Sequence, residues 1–289
     1  MKKTLLLSLA ALVTAGSLGA STPAPIDPNA LSLLKRMSTS LTKAKGFTYR
    51  SRIVMEVPSV TGQNITLLPE GSVALRRPDK LRACYGGDAP PFDLFYDGKS
   101  VSVLAPHASV YSTVKAPATL DEMLSGLRKN TGVRLPAVPL LKDDPYASLT
   151  HDLQSAVVVG EARIDGVLCD HLAFRRPGVN WEIWIEAGSR ALPRRLAATF
   201  TDRPNFPRTV VEFTRWNLHP WLPDGLFTVG PVEKVGLAEQ DMHGNGRFLQ
   251  CEDRPHVPFG QRGSRIDQDH PKIAPGQVRQ GLGSTTCRK

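Results

Sequence analysis

The sequence predicts a mostly β fold of the α+β class, one strongly curved antiparallel sheet covered by helices. Three observations lead there. Long stretches alternate apolar and polar residues with period two. Tight turn pairs such as Asp97-Gly98 and Asp165-Gly166 join them. Three short amphipathic segments carry helix-start signals and are available to cover an apolar sheet face.

The first twenty residues have a different logic. Lys2 and Lys3 form a basic start, Leu5 to Val13 is an uncharged apolar run, and small residues lead to Leu18-Gly19-Ala20. That order is a secretory signal peptide over residues 1–20, and its apolar run is shorter than the roughly 20 residues a spanning helix needs. No cysteine follows the cleavage region, so a soluble exported product is expected rather than a lipid-anchored one. Residues 21–26 read as a flexible lead-in to a domain over 27–235.

That domain opens with a helix. Asp27-Pro28 supplies a cap and a first-turn proline, and Leu31, Leu34, Met37, Leu41 and Ala44 form one apolar stripe ending before Gly46. The period then switches. Phe47, Tyr49, Ser51, Ile53, Met55 and Val57 alternate with Thr48, Arg50, Arg52, Val54 and Glu56, which signals a long strand with one buried face. Further strands are predicted near 64–76, 80–86, 92–96, 100–105 and 109–114, with Arg77-Pro78-Asp79 as a turn. Thr119-Leu120-Asp121-Glu122 is a capping box for a second helix that ends near Gly132. Asp144-Pro145 opens a shorter third helix. Strands return near 154–163, 167–176, 180–186, 192–202 and 208–217; Trp181, Ile183 and Ile185 oppose Glu182, Trp184 and Glu186. Adjacent long strands joined by short turns make an antiparallel meander. From about 236 the apolar periodicity stops, and residues 236–289 are predicted to be a disordered tail foreign to the domain.

Charge and cysteines narrow the classes of function. Of the formal charge of +9, the leader carries +2, the tail +2 and residues 21–235 only +5. The arginines are scattered along strands without the aromatic-and-basic pattern of a nucleic-acid module, so no nucleic acid is expected as partner. A mildly basic surface of this kind is a solvated face or a contact for anionic headgroups. Cys84, Cys169, Cys251 and Cys287 have wide, irregular spacings unlike a metal knuckle or a redox pair. Cys84 and Cys169 fall on predicted core strands, either as a disulfide in a permissive compartment or as two buried thiols. Cys251 and Cys287 fall in the tail.

No catalytic motif stands out. Cys169 and His171 share one face of a strand while Asp170 points to the other, but no strand–turn–helix elbow or oxyanion donor accompanies them. His107, His151, His171 and His219 show no ligand spacing, so no metal is predicted. Gly244-Asn245-Gly246 lacks the strand and helix of a dinucleotide site, and no cofactor is expected. A non-enzymatic protein is the expectation.

Several segments together carry a resemblance. Asp27-Pro28 followed by Leu31-x-x-Leu34-Lys35-Arg36-Met37, Phe47-Thr48-Tyr49-Arg50, Arg76-Arg77-Pro78-Asp79-Lys80-Leu81-Arg82 and Phe95-Tyr96-Asp97-Gly98-Lys99 resemble a family of predicted bacterial periplasmic proteins. So do Asp144-Pro145-Tyr146-Ala147, Asp165-Gly166-Val167, Cys169-Asp170-His171-Leu172-Ala173-Phe174 and Trp181-Glu182-Ile183-Trp184-Ile185. The resemblance covers about 27–232 and leaves the tail without a counterpart. That family looks like a member of the LolA-like group, with the outer-membrane lipoprotein carriers, the mycobacterial lipoprotein LppX and the N-terminal half of the envelope-stress regulator RseB. The resemblance implies an incomplete β-barrel closed by helices over a hydrophobic cavity, in a periplasmic protein that carries a lipid or acylated ligand. A non-catalytic sensor or protein-interaction module of the RseB type is the alternative. By the strand pattern alone, Phe47, Tyr49, Ile53, Met55, Val57, Trp181 and Ile183 belong to a core; the resemblance makes them cavity candidates. Partners implied are the hydrophobic ligand and a transient contact with the envelope membrane or an envelope protein. Burying each acyl methylene gains about 0.8 kcal/mol, so sequestration needs no reactive group.

Overall fold

The structure, a computed structural model, describes residues 26–105 and 110–229. The leader, the lead-in before Ile26, His107, Cys251, Cys287 and the tail fall outside those residues. Helix α1, Pro28–Lys43, begins as its cap predicts: the Asp27 carboxylate accepts from the Asn29 N–H at 2.8 Å. Its stripe of Ala30, Leu34, Met37 and Leu41 is wholly buried.

Strand β1, Gly46–Pro58, organises the sheet. One edge pairs with β12, Arg208–Asn217, and the other with β3, Glu70–Arg76, and β2, Asn64–Leu67. From β3 the sheet runs outward through β4 (Lys80–Gly86), β5 (Phe92–Tyr96), β6 (Ser100–Ala105) and β7 (Val110–Lys115). From β12 it runs through β11 (Pro193–Phe200), β10 (Val179–Glu186), β9 (Val167–Arg176) and β8 (Ser155–Ile164). These neighbours pair antiparallel, and the sheet does not close: β7 and β8 are its edges. The hairpin turns are those the sequence marks. Asp97 Oδ1 accepts from the N–H groups of Lys99 and Ser100 at 2.9 and 2.7 Å, and Asp165-Gly166 takes φ values of 47° and 79°.

Two features depart from the sequence reading. The single strand expected over 64–76 is split at Leu68-Pro69, because proline has no N–H for a ladder; its carbonyl still accepts from Ile53 N–H at 2.9 Å. Short 3₁₀ helices at Val138–Leu141 and Asp224–Phe227 have too few residues to show a period.

Helices cover one face. In α2, Leu120–Thr131, Thr119 Oγ1 accepts from Glu122 N–H at 3.3 Å, and Gly132, with φ 74°, caps the end by donating to Arg128 O. In α3, Pro145–Thr150, Asp144 accepts from Ala147 N–H at 3.0 Å. The layer is tied together by Asp143 N–H to Asp121 Oδ1 at 2.8 Å and Tyr146 N–H to Ser38 Oγ at 3.0 Å. Leu34 and Met37 of α1, Met123 and Leu127 of α2, Tyr96 of β5, Phe213 of β12 and Phe174 of β9 belong to one core. Strands about 4.8 Å apart would spread this sheet over roughly 50 Å if flat. Three short helices reach both halves only because the sheet bends around them.

The opposite, outer face has its own small apolar cluster of Ile164, Cys169, Trp184 and Ala197. His171 stacks on Trp184 with ring centroids 4.1 Å apart, and the Arg195 guanidinium lies 5.4 Å from the same ring. Glu182 accepts from Arg208 at 2.6 Å and meets His171 Nε2 at 3.0 Å. Glu186 is buried but holds Arg194 Nε at 2.6 Å, so its charge is compensated.

The cysteine pairing is a correction. Cys169 is a free, buried thiol, and Cys84 is disulfide-bonded but not to Cys169. Cys84 lies on β4 and Cys169 on β9, with β3, β1, β12, β11 and β10 between them. Both lie on the outer face of the bent sheet, where bending moves strands apart and not together, so the roughly 4.4–6.8 Å Cα distance a disulfide requires is out of reach.

Replacing Met37 by Ala is expected to cost about 2–5 kcal/mol, because it empties space at the helix–sheet centre; urea melts measure this. Burial by itself raises the Glu182 carboxyl, but the hydrogen bonds from Arg208 and His171 outweigh it, and the net shift is below the ordinary 4.5. A depressed folded-state value adds stability that is present above the unfolded pKa and lost as pH falls through the folded one. Glu182→Gln should therefore be less stable than the parent by about 1 kcal/mol at neutral pH. The gap should close as pH drops below 4.5, read from denaturation midpoints across pH.

Candidate functional site

The seven sequence candidates fall into two groups. Phe47, Tyr49, Ile53, Trp181 and Ile183 are buried in the core under the helices. Phe47 and Tyr49 surround Trp216 at ring-centroid distances of 5.5 and 4.7 Å, Phe213 packs on Tyr49 at 5.3 Å, and Trp181 stacks on Phe174 at 4.0 Å. Within each of these two aromatic clusters the rings touch one another. The aromatic partners Phe213, Trp216 and Phe174 were on predicted strands and are brought in by pairing across β12 and β9.

Met55 and Val57 behave differently, because β1 outruns its neighbours. The β1–β3 ladder ends at Arg52 opposite Glu70, and β4 stops at Gly86 opposite the same Glu70. The β1–β12 ladder ends at Met55 opposite Thr209. Beyond this, β1 and β2 continue as a projecting hairpin. Met55 faces Leu67 and Val57 faces Ile65 across it. By strand alternation all four lie on the same side as buried Ile53. They are half-buried or partly exposed, an apolar surface that continues the core outward to the rim. Ile65 and Leu67 were missed as candidates because β2 is only four residues long, too short to show alternation.

One edge of the hairpin is fastened to the β11–β12 turn. Asn64 Nδ2 donates to Asn205 O at 3.0 Å and to Glu56 Oε2 at 3.2 Å, Asn205 Nδ2 donates to Gly62 O at 2.7 Å, and Arg208 N–H donates to Glu56 Oε2 at 2.8 Å. Asn205 and Phe206 both have left-handed φ, 60° and 45°. A bulky residue there costs of order 1–3 kcal/mol, held by these bonds.

The interior carries a few hydroxyls. Burial, followed by the neighbouring Tyr85, pushes the Tyr49 hydroxyl well above its ordinary pKa; burial raises Tyr85 too, against hydrogen bonds with Ser51 and Tyr49 that lower it. Tyr85 needs Gly71, whose place admits no side chain: a Cβ there would lie 2.3 Å from the Tyr85 ring. These groups donate and accept hydrogen bonds but supply no nucleophile at neutral pH.

The Cys169-Asp170-His171 cluster is pulled apart. Cys169 and His171 lie on the outer face, where the thiol donates to Val167 O at 3.4 Å and His171 is engaged by Glu182. Burial raises the thiol pKa, which disfavours the thiolate. Asp170 lies 3.8 Å from Arg36 of α1. His151 meets its neighbour Asp152 at 2.9 Å. Among the described residues no three His, Cys, Asp or Glu side chains gather as metal ligands, and no helix is long and apolar enough to cross a membrane.

Two solvent-open clefts flank the sheet. One of about 330 Å³ lies at the hairpin end, lined by His151, Arg176, Val179, Phe200, Asp202 and Arg203. The other, about 550 Å³, runs between α1 and the β10–β11 turn, where Lys35, Arg36 and Lys43 face Ser189.

Comparison with known proteins adds the following. No curated protein matches the sequence. Among solved structures, the chain is similar to lipoprotein LppX of Mycobacterium tuberculosis at 14% identity and a TM-score of 0.42, over 66% of this chain and 96% of LppX. It is similar to LprF of Mycobacterium bovis at 13% identity and a TM-score of 0.42, over 68% of this chain and 97% of LprF. A LolA-superfamily protein of Nitrosomonas europaea aligns at 14% identity and a TM-score of 0.35, over 69% of this chain and 97% of that one. The family model described as predicted periplasmic protein (DUF2092) matches residues 30–236. With most of its length matched, the chain belongs to that family of predicted periplasmic proteins.

Proposed function

We propose that the protein is a periplasmic binding or carrier protein that sequesters the acyl part of a lipid or acylated ligand. The observation that carries this reading is the apolar face of the projecting hairpin. Met55, Val57, Ile65 and Leu67 lie on the core side yet stay partly open to water. A sheet that only needed a core would end β1 with its neighbours, β3 at Arg52 and β12 at Met55. An acyl chain laid along this face and entering beside Ile53 would bury apolar surface on both partners, at about 0.8 kcal/mol per methylene. Room for it is made by moving the helix layer, which meets the sheet mainly through side-chain packing. In this reading residues 1–20 direct export, residues 27–235 do the work, and no covalent chemistry takes part.

Native mass spectrometry of protein drawn from its own envelope tests the reading. An acyl-bearing adduct that leaves on denaturation is expected. Protein without lipid that also fails to bind hydrophobic fluorophores would overturn it, and a stoichiometric envelope protein in place of lipid would point to the sensor alternative. Val57→Asp combined with Ile65→Asp is expected to weaken fluorophore binding at least about tenfold with an unchanged melting temperature, since a charge on that face must be desolvated when the ligand seats.

A further inference from the structure

The rim that carries the hairpin also presents bare apolar tips to solvent. Val60, at the hairpin turn, is 84% exposed, and Phe206, on the β11–β12 turn, is 61% exposed. The two turns are neighbours because Asn205 and Asn64 bridge them by side-chain hydrogen bonds. Single exposed apolar residues are ordinary on a protein surface. Here two sit on turns that hydrogen bonds hold together, and Phe206 does so at a φ of 45°, in the region that a bulky side chain avoids. A glycine or asparagine would relax that turn. The fold holds an aromatic ring out in water at a position that disfavours it.

Cations stand behind these tips. The Arg203 guanidinium lies 3.9 Å from the ring centre of Phe200, which packs against the core. Arg134, in the segment after α2, is within electrostatic reach of both Arg128 and Arg203; partial burial, and then those two like charges, lower its pKa. Arg176 lines the cleft beside them. Most carboxylates at this rim are locally engaged: Asp202 is 4.0 Å from Arg203, Asp152 is paired with His151, Asp88 accepts from Leu68 N–H at 2.5 Å and Glu56 accepts from Asn64 and the Arg208 N–H, while Glu70 of β3 is exposed. Among the described residues neither Arg128 nor Arg134 forms an ion pair.

We propose that this rim docks on an anionic lipid bilayer, with Val60 and Phe206 entering the headgroup–acyl boundary and Arg134 and Arg203 meeting lipid phosphates. Apolar tips alone would fit a protein groove, and arginines alone would fit a soluble anion. The pairing of the two at one projecting end fits a surface that is anionic outside and apolar a few ångströms deeper. Guanidinium groups suit it because they bind phosphate oxygens in a fork and shed water readily. The inference goes beyond the carrier reading and does not require the interior to hold a ligand.

Vesicle co-sedimentation of the purified protein tests it, with phosphatidylglycerol-containing vesicles compared with pure phosphatidylcholine. Binding to the anionic vesicles is expected, weakened by salt. Val60→Ser with Phe206→Ser should lower the partition coefficient at least about tenfold. Arg134→Gln with Arg203→Gln should weaken binding and flatten its salt dependence. All four side chains lie at the surface or rim, so thermal melts of both variants should match the parent and certify the fold. The proposal is overturned if the protein ignores anionic vesicles at low salt, if both double variants bind like the parent, or if the rim cross-links to a protein while vesicles go unbound. Lipid extracted from the purified protein reports on the interior separately, so the two readings fail independently.

Discussion

The inward side chains of β1, Phe47, Tyr49 and Ile53, have to leave water, and a strand has only one way to do that: its whole alternate face must be covered. β1 is bonded on both edges, to β12 and β3, so cover can come only from above. Helices α1 and α2 provide it, and because their buried side chains share one core with those of β5, β9 and β10, the sheet must bend toward them. Curvature, helix placement and the position of the hairpin all descend from that one face. The aromatic group of Phe47, Tyr49, Phe213 and Trp216 is where the strand and its partner lock together.

Most of this was legible because the relevant signals are local. The Asp27 and Thr119 caps, the Asp97-Gly98 and Asp165-Gly166 turns and the alternation of β1 and β10 each act within a few residues, and each sits where the sequence put it. What was illegible depends on distance through space. Nothing within β4 or β9 says that five strands separate Cys84 from Cys169. Nothing within β1 says that β3 and β12 stop short of its end, yet that mismatch divides Phe47 and Tyr49 from Met55 and Val57. Four-residue β2 carries too little pattern to nominate Ile65 and Leu67.

The two faces of the sheet divide the chemistry. The inner face is apolar with a few hydroxyls, while the outer face carries compensated charge: Glu182 with Arg208 and His171, Glu186 with Arg194, and Glu212 with Arg195. Such pairs add modestly to stability, and they keep the outer surface of a long sheet from becoming one broad apolar plane. The reactive-looking Cys169 and His171 belong to this outer layer, where packing and pairing occupy them.

Because β7 and β8 do not meet, the interior has no fixed radius. In a closed barrel, strand number and stagger set the diameter, and changing it means breaking a ladder of hydrogen bonds. An open sheet can widen or tighten by small changes of twist shared among many strands, with every ladder intact. The spacing between sheet and helices is then an elastic variable, set by how the side chains between them pack and not by a closed ladder of hydrogen bonds.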